Sequence, residues 1–269
     1  MSDVVEVSVT GSSVQICLNR PERRNALTAA MCHTLADTLL AAEANPQTTA
    51  VLLSGSGAGF CAGNDLQDFL SAPQMGEDSP VMRFLSTVAG LTVPIVAAVR
   101  GAAVGIGATM LLHCDYVVAD SSARLHYAFV PLGLVPAGAQ LLLPRAVGQL
   151  RAAQLLLAEP IAAQHSHQLG LVTEVVEAGN HLARAHQIAA KLARQPTRAL
   201  RLTKQLLRLN KDSVPGRLRE EMAIFRQQVA GPEFASAVAA FTQRRTPTRD
   251  ASAQQYPLRH GPESGSYGD

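Results

Sequence analysis

Residues 4–9 and 14–18 alternate apolar and polar side chains about Gly11-Ser12-Ser13, a spacing that predicts a β-hairpin. Thr28 precedes an apolar set at Met31, Leu35, Leu39 and Ala42, spaced for one helical face that Asn45-Pro46 ends. Residues 50–53 form a short apolar run, the mark of a buried strand. That run enters a glycine loop, Gly55-Ser-Gly-Ala-Gly-Phe-Cys-Ala-Gly63, and a short helix is expected from about Asp65. Residues 71–79 read as a flexible surface loop and 81–91 as a helix. Pro94 opens a second buried strand, 95–99, which enters a second glycine loop, Gly101-Ala-Ala-Val-Gly-Ile-Gly107, and a helix through Leu112. A third buried strand is expected at 116–119 and a last one at 172–176, with helical segments around 140–158. From 181 to about 241 the pattern is helical, with Arg and Lys on the outer faces. The polar, Gly- and Pro-containing end, 246–269, reads as a tail.

The chain of 269 residues is 47% hydrophobic and 16% charged, enough for a substantial core. Few aromatics and no Trp favour helices packed on short strands over an all-β sandwich. A net charge of +2 makes no demand for a nucleic-acid or membrane partner, and neither is expected. Cys17, Cys32, Cys61 and Cys114 contain no C-x-x-C pair and read as reduced core thiols of a cytoplasmic protein. The N-terminus alternates like a strand and matches neither a signal nor a transit peptide.

The organising feature is a strand, glycine loop, helix unit that occurs twice, putting two glycine loops at equivalent ends of neighbouring strands. Glycine allows close backbone approach and positive φ, and a helix N-terminus presents unpaired N–H groups. Two such loops side by side can aim one N–H each at a single oxygen, the arrangement of an oxyanion hole. A P-loop is excluded because no Gly-Lys pair exists. Gly57-Ala-Gly-Phe-Cys-Ala62 fits a dinucleotide fingerprint, but the acids about 20 positions on, Glu77 and Asp78, sit in a loop. For either loop alone, tight packing would be explanation enough; the pair together asks for more.

Gly59-Phe-Cys-Ala-Gly-Asn-Asp-Leu66 resembles the "FCAGxDL" segment of the enoyl-CoA hydratase/isomerase (crotonase) family. Pro94-Ile-Val-Ala-Ala-Val-Arg-Gly-Ala-Ala-Val-Gly-Ile-Gly107 is similar to its "KPxIAAVxGxAxGxG" segment, and Arg20-Pro-Glu-Arg-Arg-Asn-Ala-Leu27 to its "RPxxxNAL" signature. Further landmarks follow in order, and the resemblance covers residues 3–247. It implies an α/β fold, a spiral of ββα units followed by a C-terminal helical trimerisation region. The implied division is a core with the acyl-CoA site over 1–195, an oligomerisation region over 196–247 and a flexible tail over 248–269. The implied partner is an acyl-CoA thioester, the assembly a homotrimer or hexamer. No separate cofactor or metal is expected, coenzyme A being part of the substrate. The implied oxyanion donors are the N–H groups of Asn64 and Ile106, near Gly63 and Gly107. Arg23 and Arg24, with the backbone of Ala26 and Ala62, would begin the adenine and phosphate contacts, though a solvated surface accounts for both arginines equally well. Asp65 and Leu66 follow the first loop, and Arg245 would reach a CoA phosphate.

The same resemblance shows what is missing. Hydratases of the family place two glutamates at positions filled here by Thr109 and Phe129. One isomerase branch, toward which "AGNDLxxF" leans as a Δ3-Δ2-enoyl-CoA isomerase-like signature, places a carboxylate where Ala137 stands. A general base needs a pKa near the working pH, and none of these three side chains supplies one. His126 and Tyr127, on an expected strand, are either packed or substitutes. Asp65 reads as a helix cap, Asp68 as solvated or paired with arginine, and Gln140 as able to orient a water. His165 and His167 do not share a helical face. The reading is an acyl-CoA-binding enzyme that stabilises a thioester enolate. A degenerate acyl-CoA-binding protein and a thioesterase- or decarboxylase-like member are the alternatives.

Overall fold

A computed structural model describes residues 4–71, 79–136, 138–157, 160–207 and 213–244. The expected hairpin forms from β1 (Val5–Thr10) and β2 (Ser13–Leu18). Helix α1 (Ala29–Ala44) starts where Thr28 accepts the Met31 N–H at 3.2 Å, and it buries Met31, Leu35, Leu39 and Ala42. Its C-terminal carbonyls are gathered by Arg201, which donates to Glu43 O and Asn45 O at 2.7 Å each, a cation where the helix dipole favours one.

Strands β3 (Ala50–Gly55), β4 (Ile95–Val99) and β6 (Tyr116–Asp120) are parallel neighbours in a six-stranded sheet of order β1-β2-β3-β4-β6-β9, closed by β9 (Glu174–Val176). Both faces of its centre are covered, which is why these strands read as unbroken apolar runs. Val51, Leu53, Ile95, Ala97, Val117 and Ala119 join the main core. Leu52, Val96, Ala98 and Val118 pack under Ala185, Ile188 and Ala189 of α8 (His181–Ala193).

The second glycine loop, expected to run without secondary structure from the strand to a helix, contains a strand, β5 (Ala102–Val104). This pairs with β7 (Arg124–His126), which pairs with β8 (Ile161–Ala162), making a three-stranded sheet. Cys61 of the first loop bridges to Ala103, so each turn of the chain lays one strand in the large sheet and one pairing in the small one. Helices then follow: α2 (Leu66–Ser71) after the first turn and α4 (Ile106–Thr109), continued by a 3₁₀ turn over Met110–His113, after the second. The fold is thus the spiral of ββα units that was expected. Helix α7 (Ala163–Gln168) was not anticipated, and β9 is shorter than the expected strand.

Helices α3 (Pro80–Gly90), α5 (Leu142–Val147), α6 (Gln149–Leu157), α9 (Thr197–Leu207), α10 (Ser213–Val229) and α11 (Pro232–Arg244) complete the described chain. Leu218, Met222 and Phe225 of α10 and Phe234 and Val238 of α11 belong to the main core, so this hairpin packs on the spiral. No helix among the described residues is long and apolar enough to cross a membrane. No disulfide forms among them: Cys32 and Cys61 are buried, and burial pushes both thiols up to about 12. The tail expected over 248–269 lies outside the described residues, as does most of the loop expected over 71–79.

Candidate active site

The two glycine loops lie directly against each other. Phe60 and Cys61 donate their N–H groups to Ala102 O at 3.1 and 3.0 Å, and Val104 N–H returns to Cys61 O at 2.8 Å. Glycine is required at the contact: a Cβ on Gly107 would sit 2.6 Å from Cys61 O. Gly63 (φ 101°) and Gly105 (φ 55°) both take left-handed backbone, and a Cβ on Gly105 would lie 3.9 Å from Gly63 Cα. Asn64 and Ile106 are the residues that follow these neighbouring glycines.

Local pairing fixes the direction of each N–H. Leu27 N–H donates to Gly63 O and Leu27 O accepts from Asp65 N–H, both at 2.8 Å, so Asn64 N–H faces away from Leu27. Ile106 opens α4, where an N–H has no intrahelical acceptor. Neither N–H has an acceptor among the described residues. Helix α4 is anchored behind its donor by Gly105 N–H, which bonds His126 O at 2.8 Å. His126 thus contributes its carbonyl to the scaffold of the second loop.

The basic loop stitches the first glycine loop in place through Asn25, whose role the sequence did not disclose. Asn25 is fully buried at φ 56°. Its amide donates to Ser56 O and Gly59 O at 2.9 Å and to Phe60 O at 3.2 Å, while its Oδ1 accepts Arg20 N–H at 2.9 Å. Arg20 Nη1 bonds Ala26 O at 3.0 Å and pairs with Asp65 Oδ2 at 2.7 Å. Asp65 also accepts Gln67 N–H at 3.0 Å, so it caps α2 as expected and carries an ion pair besides. Burial alone would raise its carboxyl, but Arg20 and the Asp68 and Gln67 N–H groups outweigh that and hold it below the ordinary value. Asp68, expected to be solvated or paired with arginine, accepts Ala29 N–H at 2.7 Å at the start of α1.

Arg23 and Arg24 stand exposed at the rim of this loop, and Ala62 N–H is tied to Arg24 O at 3.0 Å. Ala26 is half-buried and donates its N–H to Arg23 O at 3.1 Å. Leu66 packs against the core as the first residue of α2.

Thr109 is fully buried one turn after Ile106, and its Oγ1 has no hydrogen-bond partner among the described residues. Asn64 Oδ1 and the Tyr127 hydroxyl are in the same condition, and burial pushes the Tyr127 phenol up. Phe129 is buried, its Cζ 3.9 Å from where a Gly105 Cβ would stand, so its ring lies over the second loop. Gly138 (φ 80°) packs on Thr109 Cγ2, where a Cβ would come within 3.1 Å. Ala137 and Arg245 lie outside the described residues. Gln140 is half-buried. His165 and His167 are exposed on α7, the latter bonded through its ring to Val172 O at 3.0 Å. Among the described residues no cluster of His, Cys, Asp or Glu is arranged for a metal.

A surface groove of about 590 Å³ between α1 and α3 is lined by Leu40, Glu43, Arg83 and Leu91. It meets α1 at the end opposite Leu27 and Asn64, roughly 15–20 Å along the helix at 1.5 Å per residue, and plays no part in this site.

Residues 129–136 and 138–140, which carry Phe129 against Gly105 and Gly138 against Thr109, form a wall beside the second loop. A buried carboxylate that the sequence reading passed over reaches it: Glu221 of α10, 2% exposed, accepts Gly138 N–H at 2.6 Å. Its signal was present, since Leu218, Glu221, Met222 and Phe225 share one helical stripe in which only Glu221 is charged.

Residues 9–250 match the family model described as enoyl-CoA hydratase/isomerase. The chain is 35% identical over 263 residues to 1,2-epoxyphenylacetyl-CoA isomerase of Escherichia coli, covering 92% of this chain and 98% of that one. It is 33% identical to the 2,3-dehydroadipyl-CoA hydratase of the same organism, covering 92% and 98%. A crystal structure of enoyl-CoA hydratase/isomerase from Pseudoalteromonas atlantica superposes with a TM-score of 0.86 at 40% identity, covering 91% of this chain and 99% of that chain. Two interlocked glycine loops in a ββα spiral, and a family match over nearly the whole chain, lead to one conclusion: this protein belongs to the enoyl-CoA hydratase/isomerase family.

Proposed function

We propose that the protein binds an acyl-CoA thioester and polarises its carbonyl with the N–H groups of Asn64 and Ile106. The observation that carries this reading is the pair of unaccepted N–H groups, each following a left-handed glycine, where those two glycines lie side by side. An oxygen held between them keeps the negative charge that develops when a proton leaves the adjacent carbon. Removal of one such donor typically costs roughly 10²–10³ in rate. Arg23 and Arg24 at the rim, with Arg245, serve the CoA phosphates, and the backbone around Ala26 and Ala62 the adenine. The names of the relatives, one an isomerase and one a hydratase of acyl-CoA thioesters, support the substrate class and leave the reaction type between those two.

A second reading is favoured by Thr109 and Phe129, whose side chains offer no carboxylate beside these donors. In that reading the protein binds acyl-CoA without turnover, or catalyses a step in which polarisation and an apolar pocket suffice, such as thioester hydrolysis or decarboxylation. Purified protein offered crotonyl-CoA, a 3-enoyl-CoA and a saturated acyl-CoA separates these, with binding followed by calorimetry. Turnover of an unsaturated substrate supports the first reading, and binding without turnover the second. No binding of any acyl-CoA overturns both. The assembly, expected as a trimer or hexamer, is checked on the same samples by sedimentation.

A further inference from the structure

We infer that Glu221 and Gln228 of α10 are positioning residues that hold the wall of the acyl site and so decide which acyl groups it accepts. The inference rests on the acyl-CoA reading of the site. Glu221 Oε2 accepts Gly138 N–H at 2.6 Å, and Gln228 Oε1 accepts Val135 N–H at 2.7 Å. The two acceptors are seven residues apart, about 10.5 Å along a helix. The two donors are three residues apart, and three residues of chain reach at most about 10–11 Å. Gln228 takes the earlier donor and Glu221 the later one, so the segment crosses one face of α10 in the opposite direction. A third contact comes from α11, where a Cβ on Gly133 would stand 3.3 Å from Glu233 Cβ.

The wall needs such support because its backbone is not paired in either sheet. Residues 129–134 bond among themselves around a 3₁₀ turn, but beyond it the half-buried Val135 and Gly138 take their acceptors from α10. A carboxylate on the buried stripe of α10 is costly by itself, and an apolar residue would fit beside Leu218, Met222 and Phe225. Among the partners of Glu221 is the Gly138 N–H, which an apolar side chain in its place could not serve. Gly138 in turn lies against Thr109 Cγ2, one helical turn from Ile106, so the clamp reaches the side of α4 that carries the proposed donor. The residues act through backbone, and neither is asked to touch the substrate.

The test compares wild type with E221Q, E221L and Q228L. Gln at 221 keeps an acceptor for Gly138, whereas Leu removes it. Amide exchange is followed first, in the ligand-free protein. Exchange across 129–141 should quicken about fivefold or more in E221L and Q228L, the loss of an acceptor from a half-buried N–H being worth about 1 kcal/mol, and stay near wild type in E221Q. Calorimetry with free CoA and with butanoyl- to decanoyl-CoA follows. Affinity for CoA should hold within about twofold in every variant, while affinity for the preferred acyl-CoA falls about tenfold or more in E221L and the chain-length preference flattens. E221Q should keep both preference and affinity. The inference is overturned if E221L folds and keeps the wild-type preference, if CoA affinity falls in step with acyl-CoA affinity, or if E221Q is as impaired as E221L. Should wild type bind no CoA, the functional reading fails. The exchange result still decides the clamp, and unchanged exchange overturns it. Should E221L not fold, Q228L and E221Q carry the same comparison.

Discussion

Replacing Gly107 by Ala tests whether contact between the two glycine loops sets the geometry of the proposed donors. Gly107 does not have left-handed backbone, so the substitution adds a methyl group and little else. That methyl would meet Cys61 O at 2.6 Å, Cys61 Cβ at 2.9 Å and Cys61 Sγ at 3.1 Å. Ordinary contact begins near 3.4 Å, so the two segments must part by about 0.8 Å. Cys61 cannot yield alone, because its N–H and C=O are both bonded to β5. The displacement therefore passes to α4, and with it Ile106 N–H, or along the first loop to Asn64. Hydrogen-bond donors work within about 2.7–3.1 Å of a developing oxyanion, so a shift of this size removes one of them in effect. The expected result is a loss of about 10²-fold in any turnover and about 1–3 kcal/mol of stability from overpacking. Infrared spectroscopy of an isotope-labelled thioester carbonyl reads polarisation with or without turnover, and the red shift on binding should shrink in the variant. Gly90→Ala is the control, since a Cβ there meets nothing within 4 Å and its cost should be slight or favourable. A folded Gly107→Ala protein with the wild-type carbonyl shift would refute the reasoning.

Asn25→Ala removes an amide that serves three carbonyls of the first glycine loop and leaves alanine at φ 56°, so a loss of at least about 3 kcal/mol is expected in denaturant unfolding. Asn25→Gly separates the causes: if it restores most of the stability, backbone conformation and not the amide held the loop. Asp65 is held below its ordinary 3.8, and such a group stabilises the fold above its unfolded pKa and loses that contribution as pH falls through the folded one. Asp65→Asn should therefore cost about 1–2 kcal/mol at neutral pH, the pair being only partly buried, and show a shallower stability loss below about pH 4 than wild type; parallel pH profiles would exclude the ion pair as the cause. Thr109→Glu puts a carboxyl carbon within about 10 Å of Glu221 by way of Gly138, a like-charge cost of roughly 1.5 kcal/mol or more at an effective dielectric of 20. Its NMR titration should lie about 1 or more above the ordinary glutamate value, and adding E221Q should lower it; equal midpoints in the two proteins would rule out the coupling.

What could be read in the sequence was local, and what could not was carried by distant partners. Strand β4 coincides with its expected span because Pro94 opens it and both faces are apolar over five residues. Thr28 marks the start of α1 through its own side chain. Strand β5 was hidden because Ala102-Ala103-Val104 is too short for a pattern and is a strand only by pairing with residues 124–126. The two-residue β8 was hidden for the same reason. The glycine loops were legible as a pair, but their interlocking was not, since nothing local in Gly107 announces contact with Cys61. Asn25 looks like any polar loop residue until the loop it bonds, 31 to 35 positions away, is folded against it. Glu221 was readable in principle, being a lone charge in an apolar stripe, but its partner stands 83 positions earlier.

These differences in legibility correspond to a division of labour in the site. The proposed donors are peptide groups, and their aim depends on Gly63, Gly105 and Gly107 and on hydrogen bonds among residues 25, 27, 60–65, 102–105 and 126. The Thr109 and Phe129 side chains take no part in those hydrogen bonds: one packs on Gly138, and the other lies across Gly105. A change of side chain at 109 or 129 leaves those peptide hydrogen bonds in place, so on the proposed reading the groups that transfer protons and the groups that polarise the carbonyl would be held by separate contacts. On the proposed reading, the glycines and Asn25 carry the capacity to bind and polarise a thioester, independently of what stands at 109 and 129. The choice of reaction would then fall to those side chains, and the choice of acyl group to the wall that α10 holds beside them.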